Sequence, residues 1–133
     1  MSAEHDHAIV GAGIVGLAVA RELLVREPGA RVLVVDKEHE LAVHQSGRNS
    51  GVLHSGLYYA PGSLKATLCR AGREAMLRFA DERGIPVRTD GKVVVATTDA
   101  ELPGLAELLR RGTANGLRGL HDIGPEELRE LEP

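Results

Sequence analysis

HAIVGAGIVGLAVARELLVREPGARVLVVD, residues 7–36, sets out a strand, a glycine turn, a helix and a second strand in one run. His7 to Val10 suit a short buried strand, and they lead directly into Gly11-Ala12-Gly13-Ile14-Val15-Gly16. Gly16, Val19, Ala20 and Leu23 recur at the spacing that puts side chains on one face of a helix. Glu27-Pro28-Gly29 stops that helix. Arg31 to Val35 form a second apolar strand, which ends at Asp36, 20 positions after Gly16.

Each part of this unit has a mechanical reason. Gly11 permits the tight turn out of the strand, Gly13 lets a pyrophosphate approach the backbone, and Gly16 allows helix and strand to pack closely. The N–H groups at the helix start, Ile14 and Val15 among them, join the helix dipole in favouring an anion there. Asp36 is placed to accept hydrogen bonds from ribose hydroxyls, and its charge disfavours a 2′-phosphate. The pattern predicts an α/β fold with a Rossmann-like βαβ start that binds a dinucleotide. By itself it leaves FAD and NAD both open.

Composition narrows the class. A net charge of −3 gives no electrostatic footprint for nucleic acid. The single cysteine, Cys69, rules out an internal disulfide and fits a reducing compartment. The apolar run at residues 8–20 follows Glu4 and Asp6 instead of a basic segment, and it is too short to span a bilayer. A cytoplasmic protein is expected. His5-Asp6-His7 reads as a terminus running into the first strand, while His39 and His44 lack partners at ligand spacing, so no metal is expected.

After Asp36 and Lys37 the chain does not move promptly to another helix and strand, as a simple NAD domain does. It runs instead into HQSGRNSGVLHSGLYYAPGSLK, residues 44–65, a polar segment rich in glycine and serine. Such a segment can fold back over a long cofactor. Ser46, Asn49 and Ser50 are candidate donors to phosphates or ribityl hydroxyls, and Gly47 and Gly51 permit close backbone approach. Arg48 has two readings, a phosphate contact or a solvated surface residue. Tyr58 and Tyr59 read as packing side chains.

With GAGIVG and the VVDK strand end, this segment resembles the L-2-hydroxyglutarate dehydrogenase (oxidase) family. These are FAD-dependent enzymes of the D-amino-acid oxidase-like superfamily. The resemblance continues through DGKVVVAT, the TANG turn and EELRELEP, and NSGVLHSGLYY with PGSLK is its most specific part. It implies FAD as cofactor and residues 44–62 as a flavin-covering loop. It also implies a small 2-hydroxy acid as substrate and quinone or oxygen as electron acceptor. His54 falls where related flavin dehydrogenases place a histidine near flavin and substrate. There it takes the substrate hydroxyl proton, or serves as a structural histidine holding the loop.

Beyond the loop, Ser63 suits the N-cap of an amphipathic helix with Leu64, Leu68, Ala71, Ala75 and Phe79 on one face. Residues 92–97 predict a strand. Asp99 is expected to cap the next helix, whose stripe is Leu102, Leu105, Ala106 and Leu109 and which Asn115-Gly116 ends. Gly124-Pro125 opens a last short one. These pieces divide as residues 1–90, the N-terminal part of an FAD-binding domain, and 91–133, the start of a mixed α+β substrate domain. The set is incomplete as a domain, and the resemblance implies a longer protein, with peripheral contact at the inner membrane left to its missing parts. Three alternatives stay open: a related flavoenzyme acting on an amino acid or glycerol phosphate, an NAD-dependent dehydrogenase, and a non-catalytic nucleotide-binding module.

Overall fold

The computed structural model describes residues 4–133, which form two compact units divided between Val52 and Leu53. In the first unit, β1 (His7–Val10) and β2 (Val32–Val35) pair in parallel, with His7 opposite Val32 and Val10 opposite Val35. Helix α1 (Ile14–Arg26) crosses between them and packs on both strands. The strand burial alternates, so Ile9 and Val34 are half-buried while Val10 is 87% exposed. That alternation follows from the two-residue period of a strand with only one covered face. The far end of the ladder is locked by Asp6, which accepts from the Arg31 N–H at 2.8 Å and pairs with its guanidinium at 3.3 Å.

The packed face of α1 is Gly16, Leu17, Ala20 and Leu23, with Ala20 buried. Val19, expected in that stripe, is exposed, because the axis of the contact runs one residue to its side. Glu27 closes the helix through its N–H to the Leu23 carbonyl, and Gly29 takes the positive φ of 96° that turns the chain back.

The second unit holds α2 (Leu64–Glu82), a 3-10 turn at Asp99–Glu101 leading into α3 (Leu102–Ala114), and α4 (Pro125–Leu131). Ser63 is the N-cap of α2, its hydroxyl accepting from the Ala66 N–H at 3.2 Å. The expected apolar face is corrected: Leu64 and Leu68 are 73% and 60% exposed, and Ala71 and Ala75 are exposed too. The packed face is Ala66, Cys69, Arg73, Leu77 and Ala80, at the same helical period but rotated around the axis. Hydrophobicity alone therefore mislocates the covered face, whose buried positions are Ala66 and Ala80.

Three further expectations are corrected. Residues 92–97 alternate in burial, with Val94 and Ala96 half-buried, yet they form no strand, because no segment among the described residues lies alongside to complete a ladder. Thr98, and not Asp99, caps the helical segment that follows. The Glu101 carboxylate reaches back to accept from the N–H groups of Thr97 at 2.7 Å and Thr98 at 3.1 Å. In α3 the stripe is Leu105, Leu108, Leu109 and Gly112, so Leu102 and Ala106 stay exposed. Among the described residues the buried apolar set is Ala12, Ala20, Ala66 and Ala80, and no large side chain is fully enclosed.

Candidate functional site

The glycine turn joins β1 to α1 through three different constraints. Gly11 adopts φ 108° while its N–H extends the ladder to the Val35 carbonyl at 2.7 Å, a conformation that L side chains rarely adopt. Gly16 has no room for a side chain, since a Cβ there would run into the Gly11 carbonyl. At Gly13 a Cβ would come to 3.0 Å from the Ser46 hydroxyl and close the approach to the helix start.

Two side chains from beyond β2 return to this turn. Asp36 accepts the Ala12 N–H at 2.6 Å with one carboxylate oxygen and the Glu38 N–H at 2.9 Å with the other. The Ala12 and Glu38 amides hold its pKa below the ordinary carboxylate range, and His44 adds a favourable field. Ser46 accepts the Ile14 N–H at 2.8 Å. That amide belongs to the first turn of α1, where N–H groups have no intrahelical acceptor. Sequence reasoning finds Ser46 from its residue type and finds Asp36 from its spacing.

The loop between them is held by its own side chains. Asn49 donates to the carbonyls of Ser46 at 2.7 Å and Gln45 at 3.3 Å, and accepts the Gly51 N–H at 2.7 Å. Its amide thus orders the loop, and Gly51 takes a φ of 66° beyond it. His44 meets Glu38 at 2.8 Å, and Lys37 lies 3.5 Å from the same carboxylate. Ser50 and Arg48 are exposed. A cleft of about 170 Å³ opens between turn and loop, lined by Gly13, Asp36, Ala42, His44 and Ser46. Arg48 lines a neighbouring cleft with Glu38 and His44.

One contributor is invisible to sequence reasoning. Ala42 has φ 60°, the only non-glycine residue with a positive φ among those described, and its N–H donates to the Ala12 carbonyl at 3.2 Å. Nothing about an alanine signals that conformation. Gly47 is its counterpart, because a Cβ there would strike the Ala42 carbonyl.

His54 belongs to the second unit and is exposed. Its carbonyl accepts from the Cys69 thiol at 3.4 Å, and the buried Gly56, φ 93°, follows two residues later. Tyr58 and Tyr59 both carry lysines on their rings: Lys92 at 4.4 Å and Lys65 at 4.8 Å from the centroids.

The FAD dependent oxidoreductase family profile matches residues 6–133. This chain belongs to the FAD dependent oxidoreductase family. That membership sets aside the NAD alternative for the glycine turn. Among curated proteins, the chain is 49% identical over 132 residues to "L-2-hydroxyglutarate dehydrogenase, mitochondrial" from Nematostella vectensis, covering 99% of this chain and 29% of that protein. It is 50% identical over 125 residues to L-2-hydroxyglutarate dehydrogenase from Indibacter alkaliphilus, covering 94% and 31%. The human mitochondrial protein of that name is 47% identical over 128 residues, covering 96% and 28%. The chain thus spans less than a third of the length of these relatives. Two of the three names say mitochondrial, so the expected cytoplasmic location finds no support in them. No helix among the described residues is long and apolar enough to cross a membrane.

The residues present fit the family's cofactor. Gly11 and Gly16 make the tight turn, Gly13 keeps the approach to the amide-rich helix start free of a side chain, and the Asp36 carboxylate stands beside the turn.

Proposed function

We propose that this chain is the FAD-binding portion of an oxidoreductase that converts L-2-hydroxyglutarate to 2-oxoglutarate. Residues 1–90 then belong to the cofactor domain, with the flavin-covering loop at 44–62, and residues 91–133 begin the substrate domain. The observation that carries the reading is the Ser46 hydroxyl on the Ile14 N–H, 2.8 Å apart. It brings the polar segment after β2 onto the helix end where a diphosphate is drawn, which supports a long dinucleotide over a simple mononucleotide.

The roles follow from the chemistry of each group. Amides of Gly13, Val15 and Gly16 bind the diphosphate, while the Ile14 N–H holds the Ser46 hydroxyl, which donates its own proton to the same oxygens. Asp36 accepts from the ribose hydroxyls, and the Lys37 backbone beside it follows the ribose. Asn49, Ser50 and Gly51 shape the loop toward the flavin. FAD, held by these groups, would supply a two-electron acceptor for the hydride from C2 of the substrate. His54 takes the hydroxyl proton at an imidazole nitrogen as the C2–O bond becomes a carbonyl, so two electrons leave with the hydride and the proton goes to the protein. Quinone or oxygen would serve as the electron acceptor, and a cytoplasmic protein touching the inner membrane peripherally would meet either.

The test is anaerobic mixing of the purified flavin-loaded protein with L-2-hydroxyglutarate, an L-amino acid and glycerol phosphate separately. Bleaching of the flavin band by the first alone supports the reading. Bleaching only by another substrate, or a protein that binds no flavin, overturns it.

A further inference from the structure

We infer that Asn115 is a positioning residue for His54, an inference that rests on the role proposed for that histidine. The two lie in the same unit, and the loop between His54 and Tyr59 is held almost entirely by side chains from α2 and α3. Asn115, half-buried at the C-terminal cap of α3, donates through one amide nitrogen to the carbonyls of Gly56 at 3.2 Å and Tyr59 at 2.9 Å. Those carbonyls bracket a turn closed by the Tyr59 N–H on the Gly56 carbonyl at 3.2 Å. Arg111, one turn earlier on α3, donates to the Tyr58 carbonyl at 3.4 Å, and Cys69 on α2 donates to the His54 carbonyl at 3.4 Å.

The chemistry of the position favours asparagine. A carboxamide carries two N–H bonds on one nitrogen, so it satisfies two carbonyls at once with a single short side chain. An aspartate would set a carboxylate oxygen against both carbonyls, and alanine would leave them without this donor. The loop is also seated on α3 by packing. Gly112 leaves a gap that Leu57 enters, since a Cβ there would come to 2.8 Å from Leu57 Cδ1. Gly56, buried with φ 93°, bends the chain two residues after His54 in a conformation that L side chains rarely adopt. The backbone from His54 to Tyr59 is thus held at the carbonyls of residues 54, 56, 58 and 59, which sets where the His54 side chain leaves the chain. Asn115 reads in the sequence as a helix stop, and the structure gives the same side chain this second contact.

The experiment uses the flavin-loaded protein and two variants, Asn115→Asp and the milder Asn115→Ala, which lacks the repulsion and keeps the test open should the first fail to fold. Amide hydrogen exchange at Tyr59 should quicken by about tenfold, the scale of one lost hydrogen bond, with α2 amides unchanged. Flavin reduction by substrate should slow by about tenfold in kcat with KM and flavin content held, and adding either Asn115 substitution to His54→Ala should cost nothing further, because a positioning residue has no effect once the group it positions is gone. Unchanged exchange at Tyr59 overturns the clamp. Faster exchange with undiminished reduction, while His54→Ala alone slows it, overturns the positioning role. Undiminished reduction in His54→Ala itself removes the histidine from the reaction and the inference with it, and the exchange data tell that failure apart from the others.

Discussion

The Asp36 carboxylate lies 2.6 Å from the amide nitrogen of Ala12, inside the glycine turn. Its other oxygen takes the Glu38 N–H, so both oxygens are oriented by backbone donors before any ligand arrives. Each oxygen still has acceptor capacity left for a hydroxyl. The strand end, the turn and the loop after β2 are thereby tied through one side chain.

Asp36→Ala should weaken FAD binding by about tenfold or more, the scale of hydrogen bonds to a charged group, and should loosen the turn as well. Asp36→Asn should also weaken binding, because its NH₂ faces a backbone donor on one side. Fluorescence titration of the apoprotein with FAD measures both.

Two glycines should respond in opposite directions to alanine. At Gly16 the new Cβ meets the Gly11 carbonyl, a backbone atom that cannot swing aside, so α1 must lift from the strands and flavin content should fall. At Gly72, within α2, a Cβ meets nothing within 4 Å, and Gly72→Ala should stabilise by roughly 0.5–1 kcal/mol through helix propensity. Thermal unfolding and the flavin-to-protein ratio distinguish them.

Ala42→Gly should raise the melting temperature, by relief of about 1–2 kcal/mol of left-handed backbone strain less the entropy of a freer unfolded chain. Calorimetry of the single variant checks it, and an unchanged or lowered midpoint would contradict the strain at φ 60°.

Acid should destabilise the second unit through Glu107. Arg110 at 2.6 Å and Arg111 at 2.7 Å lower its pKa from 4.5 to about 2. The unfolded carboxylate binds its proton first, so the contribution is full above about pH 4.5 and is lost as pH falls toward 2. Glu101, lowered by the Thr97 amide and hydroxyl and the Thr98 amide, moves the same way. Glu101 is exposed and Glu107 only half-buried, so the effect should be small and should shrink in salt. Unfolding midpoints of wild type and Glu107→Gln, measured between pH 5 and about pH 2.5, should converge as the pH drops.

The βαβ unit is legible in the sequence because three glycines, a helix stop and an acidic strand end must coexist in one short run, and each has one mechanical use. Ser46 is legible by chemistry, since a hydroxyl in a polar loop suits an amide-rich helix end. Ala42 is not, because its importance lies in a backbone angle that the side chain does not advertise. The face of α2 is misread for a related reason: Leu64 and Leu68 are the most apolar choices, whereas the covered positions are Ala66, Cys69 and Ala80, small residues that hydropathy does not single out. Residues 92–97 have the composition of a strand, but a ladder needs a neighbour, which local sequence cannot supply.

Four alanines are the most enclosed apolar positions among the described residues. Adding even one carbon to Ala12, Ala20, Ala66 or Ala80 should cost stability, because each is already covered. Damaging variants should therefore include enlargements at these least conspicuous residues.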